Sequence, residues 1–336
     1  MSYLTLHHFG LPQNVFARTL DTVDQGNVAV NVKGAIQNNN YAVVTGPRGA
    51  GKSSAVAAAI ASLQTELAEQ AKGKSAKPQI QLIEPLTLDR ERMRINAIVD
   101  SIIYDLSNES LKATAEARIR QIRPILGEAA GKGPVVLKLE EAHRLHHSTI
   151  RALKSLMELK WLGRGPLLSI ILVGQKDPTT HPTMEEVGKR AKDGRIRMAG
   201  LSEAEAAAYI QGTVGSVWTE EAVAAIAATP AARNYLDLQE ALIAAMDQAL
   251  AEGRKIVELS DVFEATGAGL AEMAKKLNVP LSDIGKAIGK SPSQALRIMT
   301  GEREDLDAKA RIQAMLAKRA KGGEPAEEPA QKVANG

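Results

Sequence analysis

Tyr41-Ala42-Val43-Val44-Thr45-Gly46-Pro47-Arg48-Gly49-Ala50-Gly51-Lys52-Ser53 decides the fold. Its first five residues are a short apolar run of strand type. Glycines then punctuate positions 46–51, and from Lys52 to about Ala71 the chain is Ala-rich and helical in pattern. The order strand, glycine loop, helix carries G-x-x-x-x-G-K-S at every fixed position, which reads as a phosphate-binding loop. Glycines let successive backbone N–H groups turn inward around phosphate oxygens, and the following helix adds the partial positive charge of its N-terminus. In this reading Gly46, Pro47, Arg48, Gly49, Ala50, Gly51, Lys52, Ser53 and Ser54 hold a nucleotide. Lys52 gives its charge to the β and γ phosphates, and Ser53 offers a hydroxyl to Mg²⁺.

Outward from this loop, apolar runs alternate with helical stretches. Further strands are expected at 80–83, 135–139 and 167–173, with a short edge strand at 195–198. The helices between them are expected at about 91–106 and 110–130, and from an N-cap at Ser148 to about Trp161. Continuous apolar strands separated by helices suit a parallel sheet covered on both faces, so the fold class is α/β. From Ser202 the pattern is purely helical, with helices at about 202–214, 219–229 and 234–252 and a further helical segment at 260–320. The expected domains are a P-loop core at 1–198, a helical lid at 199–258 and a small all-α domain at 259–320. A Gly/Pro/Glu/Ala tail at 321–336 reads as disordered.

A phosphate loop needs an acidic strand end. Val135-Val136-Leu137-Lys138-Leu139-Glu140-Glu141-Ala142-His143 supplies one, because residues just past a parallel strand face the nucleotide crevice. Glu140 is then the Mg²⁺ ligand, direct or through water, and Glu141 the group that orients or deprotonates the attacking water. His143, His146 and His147 lack a HExxH pattern and fit loop and cap roles better than a metal site. Lys138 stands alone in an otherwise apolar strand, and no role for it follows from the residues.

The chain has 336 residues, enough for two domains. Aromatic residues are only 3% of it, so the core must be Ala, Val, Ile and Leu. The absence of cysteine excludes disulfides, Cys-ligated zinc, iron–sulfur clusters and thiol nucleophiles, and agrees with a reducing cytosol. No apolar run reaches the ~18–20 residues of a membrane span, and residues 1–10 lack the build of a signal peptide. Net charge is +3, which permits an anionic partner.

Two stretches point to nucleic acid. Arg90, Arg92 and Arg94 form a dense basic cluster suited to phosphates without base reading. Leu281 to Met299 resembles a helix-turn-helix, with Ala287 at the helix crossing, Gly289 ending the first helix and Ser291-Pro292 opening the second. Gln294 and Arg297 then lie three residues apart on the second helix, able to reach base edges. Residues 271–320 carry ten Lys/Arg against six Asp/Glu, a larger excess than that of the whole chain. A protein-docking module has a similar pattern.

Tyr3-Leu4, Phe9-Gly10-Leu11, the GPRGAGKS loop, LEEAHRL at 139–145 and LVGQ at 172–175 resemble the AAA+ ATPases of the ExeA/TniB/MuB-like group. That group holds general secretion pathway protein A and the target-selecting ATPases of Mu-like phages and related transposons. The resemblance covers about residues 1–255. It implies a P-loop AAA+ core and Mg²⁺-dependent hydrolysis of ATP. It also implies that Gln175 is a polar sensor near the γ-phosphate and Arg195 a finger donated to the neighbouring subunit, with Arg190 and Arg197 as competitors. Arg233 becomes the second sensor, in the lid.

The resemblance further implies double-stranded DNA and a transposase or other recombinase as partners. It implies a homo-oligomer, ring or helical filament, with Arg90, Arg92 and Arg94 on its inner surface, no membrane, and a place in the cytoplasm (the bacterial host's if phage-encoded). The alternatives are a secretion-type ATPase and a weakly hydrolysing ATP-binding regulator. One departure stands out: the group usually has aspartate where this chain has Glu140.

Overall fold

The computed structural model describes residues 3–17, 21–72, 78–85, 93–180, 185–266, 270–300, 303 and 305–320. They form two compact units: the described residues within 20–201 and 233–236 make one, and those within 1–19, 202–232 and 237–320 make the other.

The first unit is built on five parallel strands, β1 (Tyr41–Thr45), β2 (Gln81–Ile83), β3 (Val135–Leu139), β4 (Ser169–Gly174) and β5 (Arg195–Arg197), in the order β2-β3-β4-β1-β5. Strand alternation sends successive side chains to opposite faces. Tyr41, Val43, Val135, Leu137, Leu139, Ile170 and Leu172 therefore enter one core. Ala42, Val44, Val136, Ile171 and Val173 enter the other, under the helices Val23–Gln37 and Lys52–Gln70. Burial on both faces is why these strands read as unbroken apolar runs. β1 pairs with β4 from Tyr41↔Ile170 to Thr45↔Gly174, and with β5 from Val43↔Arg195 to Thr45↔Arg197. The loop after β1 thus starts level with the ends of both neighbours.

The remaining helices differ from expectation in their caps. The helix expected from 91 begins at Ile95, with Arg94 as N-cap, and the next spans Ala115–Lys132, capped by the Thr114 hydroxyl. The N-cap after β3 is His146, not Ser148: the imidazole Nδ1 accepts from the Ser148 N–H at 3.2 Å. The imidazole nitrogen serves an orphan donor of the first turn as a serine cap does, from a start two residues earlier. That helix, His147–Met157, stops short of Trp161, which is held in a tight turn by paired bonds to Arg164.

The second unit is helical. Ser202 and Glu205 form a reciprocal capping box on Glu203–Thr213, and Glu220–Ala227 and Tyr235–Ala251 follow. Residues 3–17, expected with the sheet, group here instead: Thr5 donates to Asp247, and the buried Tyr209 hydroxyl donates to the Phe16 carbonyl at 3.1 Å. Both are contacts between residues about two hundred positions apart, which no local pattern announces.

The segment expected at 260–320 resolves into Leu259–Thr266, Leu270–Lys276, Leu281–Ile288, Pro292–Met299 and Leu306–Ala320, around a core that includes Met273, Ile284, Ile298, Ile312 and Leu316. Leu281–Ile288 and Pro292–Met299 are joined through Gly289 in the left-handed region. The small residue at their junction is Gly285, not Ala287. A Cβ at Gly285 would lie 2.7 Å from the Lys290 carbonyl, whereas Ala287 is exposed. The tail 321–336 lies outside the described residues.

Candidate nucleotide site

The site grows from the C-terminal end of β1. Gly49 and Gly51 take φ of 79° and 82°, a region L-residues rarely occupy, and Gly51 is the N-cap of Lys52–Gln70. The loop so formed curls over Lys52, which is only 8% exposed; its Nζ donates to the carbonyls of Gly46 at 3.0 Å and Pro47 at 2.7 Å. Burial holds the Lys52 ammonium below its ordinary pKa, and the nearby Glu141 and Glu140 carboxylates oppose that shift. Ser53 and Ser54 are exposed on the first turn.

The Ser53 hydroxyl donates to Glu140 Oε2 at 2.9 Å, across a sequence separation of 87 residues. The loop and the end of β3 therefore meet as the sequence expects. Glu140 Oε1 is buried without a hydrogen-bond donor, although the Lys138 ammonium stands 3.0 Å away. A hydroxyl and a carboxylate are hard oxygen donors, the kind Mg²⁺ takes, and a buried lysine beside turned-in glycines suits a polyphosphate. The residues fit both groups: Ser53 and Glu140 for the metal, Gly46 to Ser54 for the phosphates.

Glu141 follows in the left-handed region at φ 52°, an uncommon conformation for a residue with a side chain. Its carboxylate is half-exposed, and His143 Nε2 lies 3.8 Å from its Oε2. The other ring nitrogen, Nδ1, accepts from the backbone N–H of Gln175 at 3.3 Å. One imidazole thus bridges Glu141 and the residue just past β4, where Gln175 is exposed. Sequence reasoning gives His143 only a loop role. The signal is its place two residues after Glu141.

The candidate fingers differ in their surroundings. Arg195 Nε is 2.8 Å from Asp177 Oδ2, and its Nη2 donates to Thr179 Oγ1 at 2.8 Å. Arg190 donates to Glu158 at 2.8 Å. Arg197 is exposed and makes no hydrogen bond or ion pair among the described residues.

The segment 233–236 lies on the phosphate loop. Arg233 is exposed and donates to the Leu201 carbonyl at 3.3 Å. Asn234, which the sequence does not single out, donates through Nδ2 to the Arg48 carbonyl at 2.6 Å and accepts at Oδ1 from Leu236 N at 2.9 Å. Tyr235 N donates to the Gly49 carbonyl at 3.1 Å. A Cβ on Gly49 would lie 1.8 Å from Asn234 Oδ1, so only glycine allows this approach. Gly49→Ala, strained in φ and in collision with Asn234, is expected to weaken nucleotide binding at least tenfold. Asn234→Ala, which removes two hydrogen bonds of ~1 kcal/mol each without strain, should cost less. Titration with a fluorescent nucleotide ranks the two.

Of the residues assigned to DNA, Arg94 is exposed at the N-cap of Ile95–Leu106, while Arg90 and Arg92 lie outside the described residues. In the helical unit Gln294 serves its own helix. Its Oε1 accepts from Ser291 N, and its own N–H donates to Ser291 Oγ, a capping box at the start of Pro292–Met299. Arg297 is exposed one turn later. The exposed face of that helix also carries Ser293, Leu296 and Thr300.

Residues 36–179 match the family model described as an AAA domain. No curated relative matches the chain. Among solved structures, the ORC2 protein of Aeropyrum pernix in ADPNP–ADP complexes superposes with a TM-score of 0.56 at 11% identity, covering 92% of this chain and 90% of that one. Cdc6p from Pyrobaculum aerophilum gives 0.53 at 14%, with 92% and 90% covered. The ORC1 protein of Aeropyrum pernix in complex with DNA gives 0.54 at 14%, with 95% and 83% covered. The strand order, the loop after β1 and these likenesses are those of the P-loop AAA+ fold.

Proposed function

We propose that this chain is an ATP-driven switch that assembles on duplex DNA and recruits or activates a recombinase, a transposase by the resemblance of its motifs. The observation that carries the ATPase part is the 2.9 Å bond from Ser53 to Glu140, which puts the loop hydroxyl and the acidic strand end in one place beside the buried Lys52. Glu141 acts on the attacking water, oriented by His143. Gln175 reports the γ-phosphate, and Arg233 carries the report toward the lid. An arginine from the next copy completes the site; Arg195 is the candidate by motif, and Arg197 the one whose guanidinium has no partner to give up among the described residues. Such a finger contributes on the order of 10³–10⁵ in rate where it operates.

The DNA part is supported by the exposed Arg94 and Arg297 and by the likeness in fold to a protein solved with DNA. Phosphate contacts of this kind bind without reading sequence and weaken steeply with salt. The test is retention on duplex DNA of unrelated sequences at moderate salt. Retention with ATP and Mg²⁺ and release without nucleotide agree with the switch. Equal retention in both conditions, or none in either, contradicts it.

A second reading has an observation of its own. Glu140 stands where aspartate is usual and is shared with Lys138, which favours a slow, regulatory ATP-binding module. Turnover no faster in the wild type than in Glu141→Gln would decide for that reading.

A further inference from the structure

Lys138 is the charged member of β3, Val-Val-Leu-Lys-Leu. Alternation puts it on the face of Val136, against the helix that follows the phosphate loop, and its side chain is only 10% exposed. An ammonium there is costly to desolvate, and an apolar residue would avoid that cost. Its stem lines a groove with Ala57, Ile60, Ala61 and Leu82, and its Nζ emerges between two carboxylates: 2.8 Å from Glu84 Oε1, just past β2, and 3.0 Å from Glu140 Oε1. Two carboxylates and one ammonium leave a formal charge of −1, that of a lone aspartate.

Glutamate has one more rotatable bond than aspartate, so a glutamate at this strand end must be held to present a fixed oxygen. Glu140 is held at both ends: Oε1 by Lys138, Oε2 by Ser53. Lys138, the last but one residue of β3, and Glu140, just past its end, are two residues apart in the chain, and their side chains meet there. We propose that Lys138 is a positioning residue for Glu140. It holds one carboxylate oxygen so that the other stays on Ser53, and so gives the longer side chain the fixed place a shorter one has by its own length. The proposal rests on the reading of Ser53 and Glu140 as the Mg²⁺ residues.

The experiment is binding of a fluorescent ATP analogue to the full chain as Mg²⁺ is varied, with an EDTA arm. Lys138→Met is expected to raise the Mg²⁺ concentration for half-maximal binding about tenfold, the usual effect of losing a partner that orients a metal ligand. The EDTA affinity should be unchanged, and Lys138→Arg should restore most of the loss. In a Glu140→Asp background, whose carboxylate is drawn back from the ammonium, Lys138→Met should add nothing, because groups acting through one another are not additive. An unchanged or lowered Mg²⁺ requirement in Lys138→Met, or full additivity with Glu140→Asp, overturns the positioning role. Should Lys138→Met not fold, Lys138→Gln, which shortens the side chain and removes its charge, takes its place in the two Glu140 backgrounds with the same expected outcomes. Wild-type binding that ignores Mg²⁺ overturns the underlying reading of Ser53 and Glu140, and this proposal with it.

Discussion

Lys52→Ala is expected to lose nucleotide binding while keeping its fold. The Lys52 ammonium is the full positive charge inside the loop, buried and held by the carbonyls of Gly46 and Pro47. A phosphate arriving there takes over those contacts with a stronger, charge-assisted partner. Truncating one member of such a buried charged pair costs roughly 2–5 kcal/mol, ~30-fold to several thousandfold in affinity. The fold should tolerate the change. The variant loses the two lysine bonds to the loop, but Gly49, Gly51 and the bonds to Asn234 and Tyr235 remain to hold its shape. Calorimetry with Mg²⁺ and adenine nucleotide should therefore show heat for the wild type and none for the variant, at similar melting temperatures. Equal heats would remove the phosphate loop from the account.

Glu141→Gln is expected to bind nucleotide as the wild type does and to turn it over far more slowly. Glu141 takes no part in the loop. Its carboxylate faces His143, and its backbone is held at φ 52° by the turn after β3. The amide keeps the size and loses the basicity, so the loss falls on proton transfer, a contribution of about 10²–10⁴ in rate. The variant should therefore show intact titration with a fluorescent nucleotide and a drop in phosphate release of at least a hundredfold. Because hydrolysis is proposed to release the assembly, the variant should also stay longer on DNA with ATP. A drop confined to nucleotide affinity would assign Glu141 to binding instead.

Each half of the candidate site is legible in the sequence because each half is local. Loop, lysine and serine are contiguous, and Glu140 and Glu141 sit at the end of an apolar strand that has nowhere to go but the sheet. The contacts that are not legible join distant positions. Asn234 meets Arg48 across 186 residues, and nothing in Arg233-Asn234-Tyr235 says which carbonyl the amide will find. His146 takes the cap expected of Ser148 because the imidazole also carries an acceptor that can reach the backbone N–H two residues on, which starts the helix two residues earlier, and periodicity does not choose between the two starts. Gln294 reads as pointing outward from its helix, yet three residues after Ser291 it completes a capping box, a pairing the spacing does allow. Lys138 is visible as an exception in its strand. Its meaning needs the neighbouring strand end, where Glu84 lies.

The most direct test of the central claim, that nucleotide in this loop governs assembly on DNA, is electron microscopy of the protein with duplex DNA and a slowly hydrolysed ATP analogue. Rings or helical filaments on the DNA are expected with the analogue and absent without it. Isolated single copies under both conditions would contradict the claim.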